Sequence, residues 1–255
     1  MLILLSPAKR LNTGKDNNHL SEGTRPAFIE KANRLAAFMK QYSPKQLETR
    51  LKINPQLALK AAACFASWQD NPLPAAVKPA LLAYNGDAYS GLSAITLSQD
   101  AWEYSKNHLR ILSVMYGILR PCDNIQAYRL EMGTGIKPSG VKNLYEYWQE
   151  NVTSAIRNQL ADIRSNVIIN LASEEYFKTV DIAKLNSRVI RPVFKEFREG
   201  EYKSLVMYIK FARGRLTRFI LENRLSDPEE IKTFDWEGYG FDANLSDENR
   251  WVFTR

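Results

Sequence analysis

Thiols and imidazoles are scarce in this chain. Two cysteines, Cys64 and Cys122, and two histidines, His19 and His108, stand in 255 residues. Neither pair has the spacing of a zinc ligand set or an iron–sulfur cluster, so neither a metal site nor a cofactor is expected. Long hydrophobic runs are missing too. No apolar stretch approaches a membrane span, and Met1–Leu5 is cut short by Ser6-Pro7 before a signal-peptide core forms. The expectation is a cytoplasmic protein with no membrane partner. Internal repeats, low-complexity linkers, a dinucleotide fingerprint, a P-loop and a Ser-His-Asp order are all absent. One compact domain over residues 1–255 is therefore predicted.

Charge is present in excess of one sign. Lysine and arginine total 35 against 28 acids, a formal net charge of +7. Such a balance suits a polyanionic partner, through counterion release from phosphates, although it equally serves solubility.

Apolar patterning supplies the elements. Leu2–Leu5 reads as a buried strand, and the polar residues 10–25 as a mobile loop. Helical spacing runs from Pro26 to Tyr42, a short helix opens at Ser43-Pro44, and another runs from Asn54-Pro55 to about Trp68. The apolar stretch Leu81–Tyr84 reads as a second strand, closed by Asn85-Gly86-Asp87. A helix follows from Ser98 to Asn107, then a buried run from Ile111 to Tyr116 that breaks at Gly117. Asn143–Leu160 is helical, and Val167–Leu171 is another buried strand. Arg188–Glu196 and Tyr202–Tyr208 read as paired strands around Arg198-Glu199-Gly200. A basic helix over Phe211–Arg224 and short strands near Gly238–Asp242 and Trp251–Thr254 complete the chain. Helices between apolar strands predict an α/β fold, a mixed sheet flanked by helices with an antiparallel part toward the C-terminus.

Polar clusters end these strands: Ser6 to Lys9, Asn85 to Asp87, Arg120 to Asp123, and Ser173-Glu174-Glu175. Ligands of open α/β sheets sit beyond the carboxyl ends of strands, so these residues are candidates for one cleft. Lys9 is a candidate base or amine nucleophile, with Asp87 or Glu131 as its proton partner. Ser173 and Glu174 equally suit the cap and first turn of a helix. In Tyr128-Arg-Leu-Glu-Met132, alternation places Tyr128, Leu130 and Met132 on one face and Arg129 and Glu131 on the other. This segment reads either as an edge strand with a solvated ladder or as part of a polar site, with Lys9, Arg129 and Glu131 in one cleft and Tyr128 and Met132 packed into the core behind it.

The basic helix carries Arg213, Arg215, Arg218 and Arg224, preceded by Lys210, opposite a stripe of Ala212, Leu216, Phe219 and Ile220. A solvated face explains such a run. Phosphate contact by Lys210, Arg213, Arg215 and Arg218, joined by Arg120 and Arg129, is the sharper reading.

Several motifs in order carry a family resemblance. They are Ser6-Pro-Ala-Lys9, Asn85-Gly-Asp87 with Tyr89-Ser-Gly91-Leu92, His108-Leu-Arg110 and Tyr116-Gly-Ile-Leu-Arg-Pro121 with Asp123. Tyr128-Arg-Leu-Glu-Met-Gly133, Asn143-Leu-Tyr145 with Trp148, and Asn170-Leu-Ala-Ser-Glu-Glu-Tyr-Phe-Lys178 follow. Ala212-Arg-Gly214 with Arg218, and Asn223-Arg224, complete the set. Through them the chain resembles the YaaA family of peroxide-stress-response proteins over nearly its whole length. The resemblance implies a cytoplasmic protein that limits oxidative damage and keeps unincorporated iron low. It also implies a family-specific α/β fold with a helix-hairpin-helix-like element and affinity for double-stranded DNA. Val114 stands where the family has a glycine, and Phe211 thins the family's lysine-rich lead into Ala-Arg-Gly. Three classes stay open: a DNA-binding protein, an enzyme on a nucleobase or sugar (lyase- or glycosylase-like) using Lys9 with a carboxylate, and a binder of a small anionic metabolite.

Overall fold

Buried strands form where apolar runs are short and β-branched or leucine-rich, and short polar stretches supply the minor ones. In chain order they are β1 Leu2–Leu5, β2 Arg10–Leu11, β3 Lys78–Pro79, β4 Tyr84–Asn85, β5 Leu109–Ser113 and β6 Gly117–Leu119. After these come β7 Asn124–Ile125, β8 Val167–Leu171, β9 Arg188–Arg198, β10 Glu201–Lys203, β11 Gly240–Asp242 and β12 Arg250–Thr254. This computed structural model describes residues 1–12, 14, 23–138 and 140–255. Most of the expected loop over 10–25, including His19, lies outside the described residues.

The main sheet has the order β11-β12-β9-β8-β1-β5-β6, with β10 paired to β9. Its central strands β12, β9, β8, β1 and β5 run parallel, and β6 and β11 pair antiparallel at the two edges. β1 is buried throughout, because β5 and β8 cover its edges and helices cover its faces. The fold is thus a single α/β domain built on a mixed sheet.

The helices are α1 Ile29–Met39, α2 Pro44–Leu51, α3 Pro55–Ala66, α4 Ala80–Ala83, α5 Asp87–Leu92, α6 Gln99–His108, α7 Leu144–Asp162, α8 Glu174–Phe177 and α9 Val206–Glu222. Their starts follow the side chains that satisfy orphan amides. Ser43 and Gln46 form a reciprocal capping box on α2, and Asn54, Ser98 and Asn143 each accept a first-turn amide of α3, α6 and α7. α2 and α3 make a tight helix pair, turned by Lys52 at φ 53°.

The crossing of α5 and α9 depends on two glycines. A Cβ on Gly214 would lie 1.8 Å from the Ala88 carbonyl oxygen, and one on Gly91 would lie 2.3 Å from that of Phe211. Both clashes are with backbone, so only glycine permits this approach. The contact brings Asp87 and Ala88 beside the Lys210–Arg213 turn of α9.

Tertiary structure corrects four expectations. Leu81–Ala83 forms no strand: Ala80 and Leu81 donate to the carbonyls of Asp123 and Pro121 and the stretch coils as α4, so that only Tyr84 pairs, in the short β4 against β2. The run from Ile111 does not continue to Tyr116, because β5 stops at Ser113 and a turn returns the chain antiparallel through β6. Gly117 at φ +72° closes this hairpin, a Cβ there would meet the Trp148 ring at 2.6 Å, and Val114 keeps a negative φ. Residues 206–208 belong to α9, so β10 ends at Lys203. Finally, Tyr128, Leu130 and Met132 are buried and Arg129 and Glu131 half-buried, yet the segment pairs with no strand. It is an extended arm with strand-like alternation.

The hairpin also relocates a predicted cluster. β6 carries Arg120 and Asp123 back toward the amino ends of the parallel strands, away from the cleft. Asp123, 1% exposed, accepts from the Arg120 backbone amide at 2.8 Å and from Thr24 Oγ1 at 2.7 Å, and pairs with the Arg120 guanidinium at 3.0 Å. This network locks the turn, and the expectation of Arg120 at the functional cleft is corrected accordingly.

Candidate functional site

The carboxyl ends of β1 and β8 open into a cleft of about 430 Å³. Its position follows the rule for parallel sheets: β1 lies between neighbours reached by connections running in opposite directions, so a crevice forms beyond its end. Three local devices shape it. Asn170 Oδ1 accepts from the Ala172 amide at 3.0 Å, which turns the chain out of β8. The Ser173 amide then donates to Ser6 Oγ at 2.8 Å, tying the two strand exits together. The Tyr89 hydroxyl donates to the Ser6 carbonyl at 2.8 Å and fixes α5 against the same exit.

Ser6, Lys9, Asn85, Asp87, Ser173, Lys210 and Arg213 all line this cleft. Arg129 and Glu131 line a second, adjoining cleft of about 960 Å³, bounded on its other side by Arg50 and Lys52 at the α2–α3 turn. Lys9 and Glu175 belong to both. At this junction Lys9 Nζ is 2.6 Å from Glu131 Oε2, and Arg129 reaches Glu131 Oε1 at 3.4 Å and the Lys9 carbonyl at 3.4 Å. The structure therefore brings Lys9, Arg129 and Glu131 into one cluster, with Met132 in the core behind.

Tyrosines floor the site. Tyr128 lies beneath the cleft rather than in its lining, its hydroxyl 2.8 Å from that of Tyr84 and 3.1 Å from Ser113 Oγ. Tyr89 and Tyr176 form part of the wall. Burial raises the phenol pKa of Tyr84 and Tyr89 well above its ordinary value, and it raises that of Tyr128 as well. For Tyr176 burial acts first, followed by the charges of Tyr128, Glu175 and Glu131.

The arginines of α9 divide. Arg213 enters the cleft, where its Nε is buried without a hydrogen-bond partner. Burial lowers its pKa, opposed by the charge of Glu174. Arg215 instead stacks over Phe211 and Trp236, 5.5 Å from each ring centre. Arg218 donates to the carbonyls of Leu92, Ser93 and Thr96, to Thr96 Oγ1 and to Glu222. Its donors are spent on holding the α5–α6 connection, which corrects the expectation of a phosphate contact there. Glu174 is likewise corrected: it borders a separate groove beside β9, while Glu175 lines the cleft and accepts from the Gly133 amide at 3.0 Å. Successive residues of one helical turn point about 100° apart, so α8 sends its two glutamates to different sides.

Tyr89, Tyr176 and Arg10 also line the cleft, and sequence reasoning misses all three. Arg10 follows Lys9 directly, and both tyrosines sit one or two positions past the polar clusters, which is the signal that marks them.

Comparison with known proteins matches the chain's sequence to a family. Residues 1–245 fit the family model H2O2_YaaD, described as peroxide stress protein YaaA. The chain belongs to this family. The UPF0246 protein RSc2009 of Ralstonia nicotianae is 44% identical over 255 residues, covering all of this chain and 99% of that relative. The UPF0246 protein NMB0895 of Neisseria meningitidis serogroup B is 42% identical over 255 residues, with 100% and 98% covered. Among the described residues no helix is long and apolar enough to cross a membrane. The same residues contain no group of three or more His, Cys, Asp or Glu arranged to hold a metal ion.

Proposed function

We propose that this protein acts in the cytoplasmic response to peroxide by binding double-stranded DNA across the rim of the cleft. In this reading its link to iron is protection of DNA from damage that iron and peroxide cause together. Family membership supports the peroxide role. One observation supports the DNA contact: exposed Arg10 and Lys210 stand at the same cleft, and among the described residues neither forms an ion pair. Cations without internal partners are free to displace counterions from phosphates. Anisotropy titration of a labelled duplex across a salt series tests this. Each phosphate contact steepens the log–log slope by about 0.9, and Lys210→Ala is expected to reduce it by about 1. Binding that is flat with salt refutes the reading.

A second reading, an enzyme on a damaged nucleobase or sugar, rests on the Lys9–Glu131 pair. Glu131 is placed to take a proton from the Lys9 ammonium. The free amine then adds to a sugar aldehyde, and loss of water leaves an imine. Borohydride reduction on abasic-site DNA traps such an imine. An adduct absent from wild-type protein, or one surviving Lys9→Met, removes this reading.

A further inference from the structure

The interior of the cleft is built differently from its rim. Its deepest cation is Arg213, whose Nε is shielded from solvent and whose guanidinium makes no hydrogen bond or ion pair among the described residues. This guanidinium is half-buried and offset only by the nearby charge of Glu174, without contact, so an added acceptor is favoured, and its planar fork matches the oxygens of a phosphate. Exposed Arg10 and Lys210, neither in an ion pair among the described residues, add positive charge at the opening. A carboxylate ligand needs fewer cations than this; a doubly charged phosphate uses them.

The remaining wall is not that of a phosphate site alone. Tyr89 and Tyr176, each less than a tenth exposed, border the cleft with the edges of their rings, and the Tyr176 hydroxyl has no hydrogen-bond partner among the described residues. Asp87, at the start of α5, lines the same space and forms no ion pair there. Its carboxylate repels a phosphate but accepts hydrogen bonds from hydroxyl or amino groups. An anion site at one end, a wall edged by tyrosine rings and an acceptor for neutral donors together suit a nucleotide. About 430 Å³ lies in the range of pockets for small ligands, and it excludes a duplex.

We propose that the cleft holds one nucleotide, with its phosphate on Arg213, its base against Tyr89 and Tyr176, and its sugar or base donors on Asp87. The nucleotide is either a free nucleoside monophosphate or a single unit extruded from DNA. Only the second source rests on the DNA-binding reading.

Calorimetry of the full chain with AMP, GMP, CMP and UMP tests the site against the matching nucleosides and inorganic phosphate. At least one monophosphate is expected to bind tenfold or more tightly than both its nucleoside and phosphate. Arg213→Met should abolish the preference over the nucleoside, and Asp87→Asn, which leaves the guanidinium in place, should weaken the nucleoside itself. Circular dichroism melts verify that each variant folds. A duplex carrying 2-aminopurine opposite a mismatch tests extrusion, since the fluorophore brightens when it leaves the stack. Brightening that Arg213→Met suppresses assigns the extruded source, and monophosphate binding without brightening assigns the free one. Equal affinity for nucleoside and monophosphate, or neither binding nor brightening, overturns the proposal even if an unmodified duplex binds. Failure of that unmodified duplex to bind is instead what overturns the DNA-binding reading.

Discussion

Lys9 Nζ and Glu131 Oε2 meet at 2.6 Å where two clefts join, with the Lys9 side chain 63% exposed and that of Glu131 23%. The pair lies between a solvated ladder and a buried ion pair. Removing Glu131 leaves Lys9 free to hydrate, and Arg129 keeps its contact to the Lys9 carbonyl. Glu131→Ala is therefore expected to cost about 1 kcal/mol, near the surface limit. A shift of about 3–5 kcal/mol in chemical denaturation would mark a fully buried pair instead.

The glycine crossing gives a sharper stability contrast. Gly214→Ala drives a methyl into a backbone carbonyl that cannot rotate away. Forced overpacking of this kind costs about 1–3 kcal/mol or more, and separating α5 from α9 also displaces Arg213. A Cβ on Gly135 would meet nothing within 4 Å, so Gly135→Ala is expected to stay within about 0.5 kcal/mol of wild type. Equal denaturation midpoints for the two variants would contradict the close approach.

Arg218 and Lys210 separate structure from binding. Arg218→Ala removes several hydrogen bonds from one charged group and is expected to destabilise by about 2–3 kcal/mol. It should leave the salt slope of DNA binding unchanged. Lys210→Ala should do the reverse, lowering the slope with an unaltered melting temperature. Loss of DNA affinity in folded Arg218→Ala at constant stability would return this arginine to the interface.

The tyrosine floor sets the alkaline limit. Burial raises the pKa of Tyr84, Tyr89 and Tyr128 in the folded protein, whereas in the unfolded chain they titrate near the ordinary value of about 10. The folded state thus keeps protons that the unfolded state loses. Stability contributed by these groups is fully present below pH 10 and falls as pH rises beyond it. Urea midpoints should decline above pH 10, and the decline should lessen in Tyr128→Phe. That variant should itself cost about 1–2 kcal/mol at neutral pH, through the bonds lost to Tyr84 and Ser113. A flat profile to pH 12 would contradict the burial.

Local chemistry decided much of this protein before any tertiary contact formed. The strands β1 and β8 follow from uninterrupted apolar runs, and the starts of α2, α3, α6 and α7 from Ser43, Asn54, Ser98 and Asn143, whose side chains cap amides only a few residues away. The alternation of Tyr128–Met132 likewise put Arg129 and Glu131 on one face, and β1 ended where Lys9 would emerge. Tertiary structure decided what those local rules leave free. Spacing does not state which way a chain turns after a buried strand, and the β5–β6 hairpin took Arg120 and Asp123 to the far end of the sheet. Charge pattern does not state whether an arginine meets solvent or a carbonyl, and the packing of α5 on α9 claimed Arg218 while leaving Arg213 unpaired. Nor does sequence order settle whether Glu174 or Glu175 faces the cleft, because that depends on how α8 sits at the end of β8. Periodicity acts over a few residues. The partners that turn it into a site come from segments brought together only when the sheet forms.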